Sequence, residues 1–187
     1  MIKSLLLSLW LVTLPLSAEQ PPPQSIYDIN VKSLEGQNIP LSAFRGRVLF
    51  IVNTASRDRN AVQMNMLEQL YQKHKEEGFV VLAFPSNDFM NEEAGPSKDV
   101  RAAYQEKFQL TFPVLEKVHV TGPEISPLYA FLTNQKTNAN FGWEIDWNFT
   151  KFLISRSGNV INRFGTTTEP TEPKVVEAIE RALAQKQ

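Results

Sequence analysis

Two apolar runs constrain this chain more than any other feature: Val48-Leu49-Phe50-Ile51-Val52 and Phe79-Val80-Val81-Leu82-Ala83-Phe84. Large apolar residues in unbroken succession, bounded by polar ones, predict strands covered on both faces. Between them, Met66, Leu67, Leu70 and Tyr71 recur at helical spacing, which predicts a helix over about 62–77, and Gly78 supplies its stop. Strand, helix and strand in that order form a right-handed crossover joining two parallel strands. Chemistry in an open α/β sheet gathers at the carboxyl ends of such strands, which directs attention to segments 53–61 and 85–95.

The rest of the chain fits around this unit. Alternation over 26–31, the turn Glu35-Gly36-Gln37 and a return over 38–41 predict an N-terminal β-hairpin. Helices are expected over about 97–108, 128–133 and 172–185. Segments 151–155 and 159–164, joined by Arg156-Ser157-Gly158, read as an antiparallel hairpin. No internal repeat or linker divides the chain, so 26–187 reads as one α/β domain with a mixed sheet flanked by helices.

The N-terminus reads differently. Met1-Ile2-Lys3, an apolar stretch over 5–16 and Ser17-Ala18 have the form of a secretory signal peptide over 1–18, shorter than a membrane span. An uncleaved anchor or a buried N-terminal helix is the alternative, against which Pro15 argues. Pro21-Pro22-Pro23 makes 19–25 a polyproline-type tether. An exported protein, periplasmic or secreted and without a membrane span after cleavage, is the expectation.

Composition excludes whole classes of chemistry. The 187 residues include no cysteine, so disulfides, iron–sulfur clusters, thiolate zinc sites and any thiol nucleophile from this chain are ruled out. A formal charge of -1 gives no basic excess for nucleic acid. Two histidines, His74 and His119, are too few for a histidine-rich metal centre, and neither a cofactor nor a metal site is assigned. His74, in Lys73-His74-Lys75, reads as part of a solvated helix face, and His119 as pointing outward.

Several motifs together resemble the glutathione peroxidases, a family with a thioredoxin-like fold. Ser25-Ile26-Tyr27-Asp28 opens the likeness, Val52-Asn53-Thr54-Ala55-Ser56 continues it, and Gly78 to Pro85 matches the second strand. Trp147-Asn148-Phe149-Thr150-Lys151-Phe152-Leu153 is the most specific piece. The short segment 114–146 resembles compact members without the tetramer-forming loop, which implies a monomer. The resemblance also implies peroxide reduction, an oxidative-stress role and a hydroperoxide or other small ligand. The family's reaction needs a cysteine or selenocysteine, however, and Asp58 stands at that position. A carboxylate is an anion, but it cannot accept an oxygen atom as a sulfenic acid does and yield it to a reducing thiol.

In the second loop the family's Phe-Pro-Cys-Asn-Gln-Phe reads Phe84-Pro85-Ser86-Asn87-Asp88-Phe89, so Asp88 stands for the active-site glutamine while Trp147 and Asn148 match the other two tetrad members. The expected site is therefore Asp58, Asp88, Trp147 and Asn148. Asp58 can cap the following helix, or mimic an over-oxidised cysteine held by Trp147 and Asn148 in a pocket that binds without turnover. A peroxidase working by another route is an alternative. Another is a divalent-cation site of Asp58, Asp88 and the Asn148 carbonyl. Asn148-Phe149-Thr150 has the form of a glycosylation sequon, yet its place in the family motif implies a buried role. Phe141 and Trp143 are expected to be partly exposed near the pocket.

Overall fold

A computed structural model describes residues 23–185. The expected signal peptide and the first part of the tether lie outside them. Strands β1 (Asn30–Lys32) and β2 (Asn38–Pro40) form the N-terminal antiparallel hairpin. A second sheet contains β3 (Val48–Thr54), β4 (Phe79–Pro85), β5 (Lys151–Ile154) and β6 (Val160–Phe164) in the order β4-β3-β5-β6. Strands β3 and β4 are parallel, with Val48 opposite Phe79 and Thr54 opposite Pro85. Strand β5 runs antiparallel to β3, placing Leu49 opposite Ile154 and Val52 opposite Lys151.

The apolar runs serve two cores. Val48, Phe50, Val52, Phe79, Val81 and Ala83 face helices α1 (Gln63–His74), α2 (Ser97–Phe108) and α4 (Pro173–Ala184). Leu49, Ile51, Val80, Leu82 and Phe84 face α3 (Pro127–Leu132) and the N-terminal hairpin. Every residue of β3 and β4 is buried, because successive side chains point to opposite faces and both faces are covered. In α4, Val175, Ala178, Ile179, Ala182 and Leu183 are buried, a helical stripe that sets this helix against the sheet.

Two expectations change. Residues Ile26–Asp28 form a 3₁₀ turn rather than the start of a strand. Ser25 Oγ accepts from the Tyr27 N–H at 3.2 Å, and Asp28 Oδ2 accepts from the Ser25 N–H at 3.0 Å. This reciprocal capping competes locally with extended backbone. The predicted helix over 62–77 is α-helical only from Gln63 to His74 and is flanked by 3₁₀ turns Arg59–Val62 and Lys75–Glu77.

The N-terminal turn docks on the β5–β6 hairpin. Tyr27 Oη donates to the Arg156 carbonyl at 2.9 Å, and its ring covers Gly158, where an added Cβ would lie 2.5 Å from Cε2. Gly158 also has φ 89°, so no other residue fits this turn without strain.

Candidate functional site

The carboxyl end of β3 builds the site by fixing a second segment beside it. Asn53 Nδ2 donates to the Trp147 carbonyl at 3.1 Å, and Asn53 Oδ1 accepts from the Thr150 N–H at 2.9 Å. The Asn53 carbonyl accepts from the Phe149 N–H at 2.7 Å. Phe149 has φ 63°, a left-handed conformation that costs of order 1–3 kcal/mol for a bulky residue and persists only where its surroundings enforce it. The bonds from Asn53 do so. Trp147 and Asn148 are thereby directed at one carboxylate.

That carboxylate is Asp58, 4% exposed at the start of the 3₁₀ turn leading into α1. Its Oδ1 accepts from the Asn60 N–H at 2.6 Å and from Asn60 Nδ2 at 2.7 Å. Its Oδ2 accepts from Trp147 Nε1 at 2.8 Å and Asn148 Nδ2 at 3.0 Å. One oxygen caps the turn while the other fills a cradle of side-chain donors. Burial pushes its pKa upward, but bonds from the Asn60 N–H, Asn148, Glu92 and the Asn60 side chain hold it below the usual range. Hydrogen bonds made to the charged form account for this direction.

Asp88 does not join the cluster, a correction to the expected tetrad. Asp88 Oδ1 meets His119 Nδ1 at 2.7 Å, while Asp88 Oδ2 accepts from the N–H groups of Val120 at 2.6 Å and Thr121 at 3.2 Å. Its bonding capacity is spent bracing segment 119–121. His119 is half-exposed, as expected, but holds Asp88. Of the expected cation set of Asp58, Asp88 and the Asn148 carbonyl, Asp88 thus has both oxygens engaged elsewhere. Among the described residues no group of three or more His, Cys, Asp or Glu is arranged to hold a metal ion.

The second acid is Glu92, from the same loop. Asn148 Nδ2 donates to Glu92 Oε2 at 2.9 Å while also donating to Asp58. Burial raises the Glu92 pKa, the hydrogen bond to Asp58 and the negative charge of Asp58 raise it further, and Asn148 and Arg59 oppose them. As pH falls, the pair's first proton therefore goes to Glu92 rather than to Asp58. Phe89 packs on Trp147 with centroids 5.3 Å apart, and the Arg57 N–H donates to the Glu92 carbonyl at 3.2 Å. The loop is thus closed over the cradle from two sides.

Neighbouring Glu93 was also missed by sequence reasoning. It is 2% exposed and accepts from the Ser56 N–H at 2.6 Å, Ser56 Oγ at 2.9 Å and Tyr104 Oη at 2.7 Å. The only sequence signal for either acid is the pair Glu92-Glu93 in the loop already marked for chemistry. Below the site, buried Lys151 Nζ donates to the carbonyls of Gly165, Thr166 and Thr168 at 3.2, 3.3 and 2.6 Å. Burial brings its pKa down to about 7, against the charges of Glu172 and Glu169.

Other expectations can be placed directly. His74 is buried rather than solvated; its Nδ1 meets Glu77 Oε1 at 2.7 Å, and its ring packs edge-on against Phe79. Asn148 is fully buried, as its motif implied. Trp143 is 49% exposed and lies beside the Arg163 guanidinium, whereas Phe149 and Phe152 belong to the cores. Among the described residues no helix is long and apolar enough to cross a membrane.

Solved structures define the class first. A thiol:disulfide interchange protein of the thioredoxin family from Chlorobium tepidum aligns with a TM-score of 0.61 at 17% identity, covering 90% of this chain and 100% of its own. The fold is thioredoxin-like. A structure described as T. cruzi GPX1 aligns with a TM-score of 0.66 at 30% identity, covering 87% of this chain and 99% of its own. The glutathione peroxidase family model matches residues 26–133. A glutathione peroxidase homolog, BsaA, of Halalkalibacterium halodurans is 42% identical over 159 residues, covering 85% of this chain and 99% of the relative. A probable glutathione peroxidase 5 of Arabidopsis thaliana is 42% identical over 166 residues, covering 87% and 92%. The chain belongs to the glutathione peroxidase family.

Proposed function

We propose that this protein is an exported member of the family that has left the thiol peroxidase cycle and acts as a binding module. The observation that carries this reading is the carboxylate of Asp58, seated on Trp147 Nε1 and Asn148 Nδ2 in a chain with no cysteine. Trp and Asn donors that would steady a reactive anion here hold one that cannot form a sulfenate. The arrangement imitates the end of the cysteine oxidation ladder, a small anion fixed in the site. Relatives carry peroxidase names, and a hydroperoxide or similar small molecule remains the ligand class for this protein.

The test is the purified chain without residues 1–18, mixed with hydrogen peroxide or a lipid hydroperoxide and with glutathione or thioredoxin as reductant. Peroxide loss is expected to match the protein-free rate. Turnover well above it, abolished by Trp147→Phe or Asn148→Ala, overturns the reading. Export is tested by N-terminal sequencing of protein from its native host, where a mature start at Glu19 is expected.

A further inference from the structure

We infer that Glu92 is a pH-sensitive latch: a proton shared with Asp58 holds its side chain over the Trp147–Asn148 cradle, and loss of that proton releases the side chain. The inference stands on the geometry of two carboxylates and one amide, and applies whether or not the chain reduces peroxides. Asn148 Nδ2 serves both acids, at 3.0 and 2.9 Å, so two negative charges would share one neutral donor. Asp58 has three further donors in Asn60 N, Asn60 Nδ2 and Trp147 Nε1. Glu92 Oε2 receives only the shared Asn148 bond among the described contacts. When the pair carries two charges, repulsion therefore displaces Glu92 rather than Asp58.

Charged and titratable neighbours give the latch its direction. From the β3–α1 connection come Asp58, which repels ionised Glu92, and Arg59, which attracts it. Within the loop, Glu93 is committed to Ser56 and Tyr104, and Asp88 to His119 and two backbone N–H groups. Lys107 and Lys117 are spent on the carbonyls of Ser56 and of Glu93 and Gly95.

The loop has backbone strain available for release. Met90 and Asn91 have φ 49° and 57°, a left-handed conformation that asparagine tolerates and that is uncommon for methionine. Anchors lie on both sides: Asp88 on segment 119–121 and Phe89 on Trp147 before them, Glu92 after them. Release of the Glu92 side chain removes one anchor of this turn, while the Arg57 N–H on the Glu92 carbonyl and Glu93 on Ser56 and Tyr104 keep the rest of the loop seated. Since the folded-state pKa of Glu92 is raised, its contribution to the closed loop is complete below the ordinary glutamate range and is lost as pH rises through the folded value.

Carbon-13 NMR of the side-chain carboxyls, with amide hydrogen exchange corrected for its intrinsic pH dependence, tests the latch. Glu92 is expected to titrate above the ordinary glutamate range, and the Trp147 indole N–H resonance to shift with the same midpoint. Protection of the amides of residues 90–92 should fall about tenfold from one pH unit below that midpoint to one above it. Glu92→Gln, which keeps a donor for Asp58 without titrating, should remain protected at both pH values. In Asp58→Asn the Glu92 midpoint should move down toward the ordinary range, an outcome readable even if the glutamine variant does not fold. A Glu92 midpoint in the ordinary range, or the same loss of protection in Glu92→Gln, overturns the latch.

Discussion

Glu92 and Glu93 are adjacent in the chain and opposite in chemistry. Glu93 turns inward to two N–H or O–H groups of Ser56 and to Tyr104 Oη, all neutral donors. Glu92 turns toward another carboxylate and shares one amide with it. One acid is a satisfied structural anion; the other is held next to a charge that opposes its ionisation. Burial alone therefore does not decide what a carboxylate does. The number and charge of the groups that meet it do, and a step of one residue along an irregular loop exchanges one set for the other.

The contrast can be broken most forcefully at Glu93. Glu93→Ala strands the Ser56 N–H and hydroxyl in a buried site and leaves Tyr104 Oη with Thr54 Oγ1 alone, and should cost roughly 2–4 kcal/mol in denaturant unfolding. Glu92→Ala removes the Asn148 bond and the contact with Asp58 from a partly exposed side chain and should cost far less; equal losses would show that the two acids are equivalent supports. Asp58→Ala removes the cap and leaves the Trp147 indole N–H without its acceptor and Asn148 with Glu92 alone, an expected loss of about 1–3 kcal/mol by the same measurement.

Restoring the nucleophile sharpens the comparison further. In an Asp58→Cys background, Glu92→Gln is expected to raise the rate of reaction with hydrogen peroxide, because an adjacent acid opposes thiolate formation. Asp88→Gln, remote in its bonding, should leave that rate nearly unchanged. Stopped-flow measurement on the two double variants decides it, and a larger gain from Asp88→Gln would return Asp88 to the site.

The smallest effect is a slope. Lys151 has a folded-state pKa lowered to about 7, so between there and the ordinary lysine range the unfolded chain binds more protons. Stability from this group accordingly rises with pH across that interval. Lys151→Met should flatten the rise of unfolding free energy between pH 7 and 9 relative to the unaltered chain; parallel slopes would show that Lys151 stays charged throughout.

The expected site was legible in part, and the division has a physical cause. Strands β3 and β4 and helix α2 follow from patterns that burial enforces over many residues, and their observed bounds lie within two residues of the expected ones. Trp147, Asn148 and Asp58 converge because their motifs sit at strand ends, where the sheet fixes position. Asp88 and Glu92 share a loop without periodicity, and the turn between them depends on left-handed Met90 and Asn91, a conformation that asparagine tolerates but methionine does not advertise. His74 misled for a similar reason: its lysine neighbours suggested solvent, but the helix ends at that residue and the chain folds back, laying the ring on Phe79.

The contact between Tyr27 and Gly158 has a consequence for handling the protein. Segment 155–158 lies at the amino end of β3, since Ile154 pairs with Leu49, while Asp58 follows the opposite end beyond Thr54. The first turn of the domain is therefore moored at one pole of the sheet and the carboxylate pair sits at the other. A support, dye or fusion attached ahead of Ser25 leaves from the pole away from the pair, making the N-terminus the attachment point that leaves the site open to a ligand in solution.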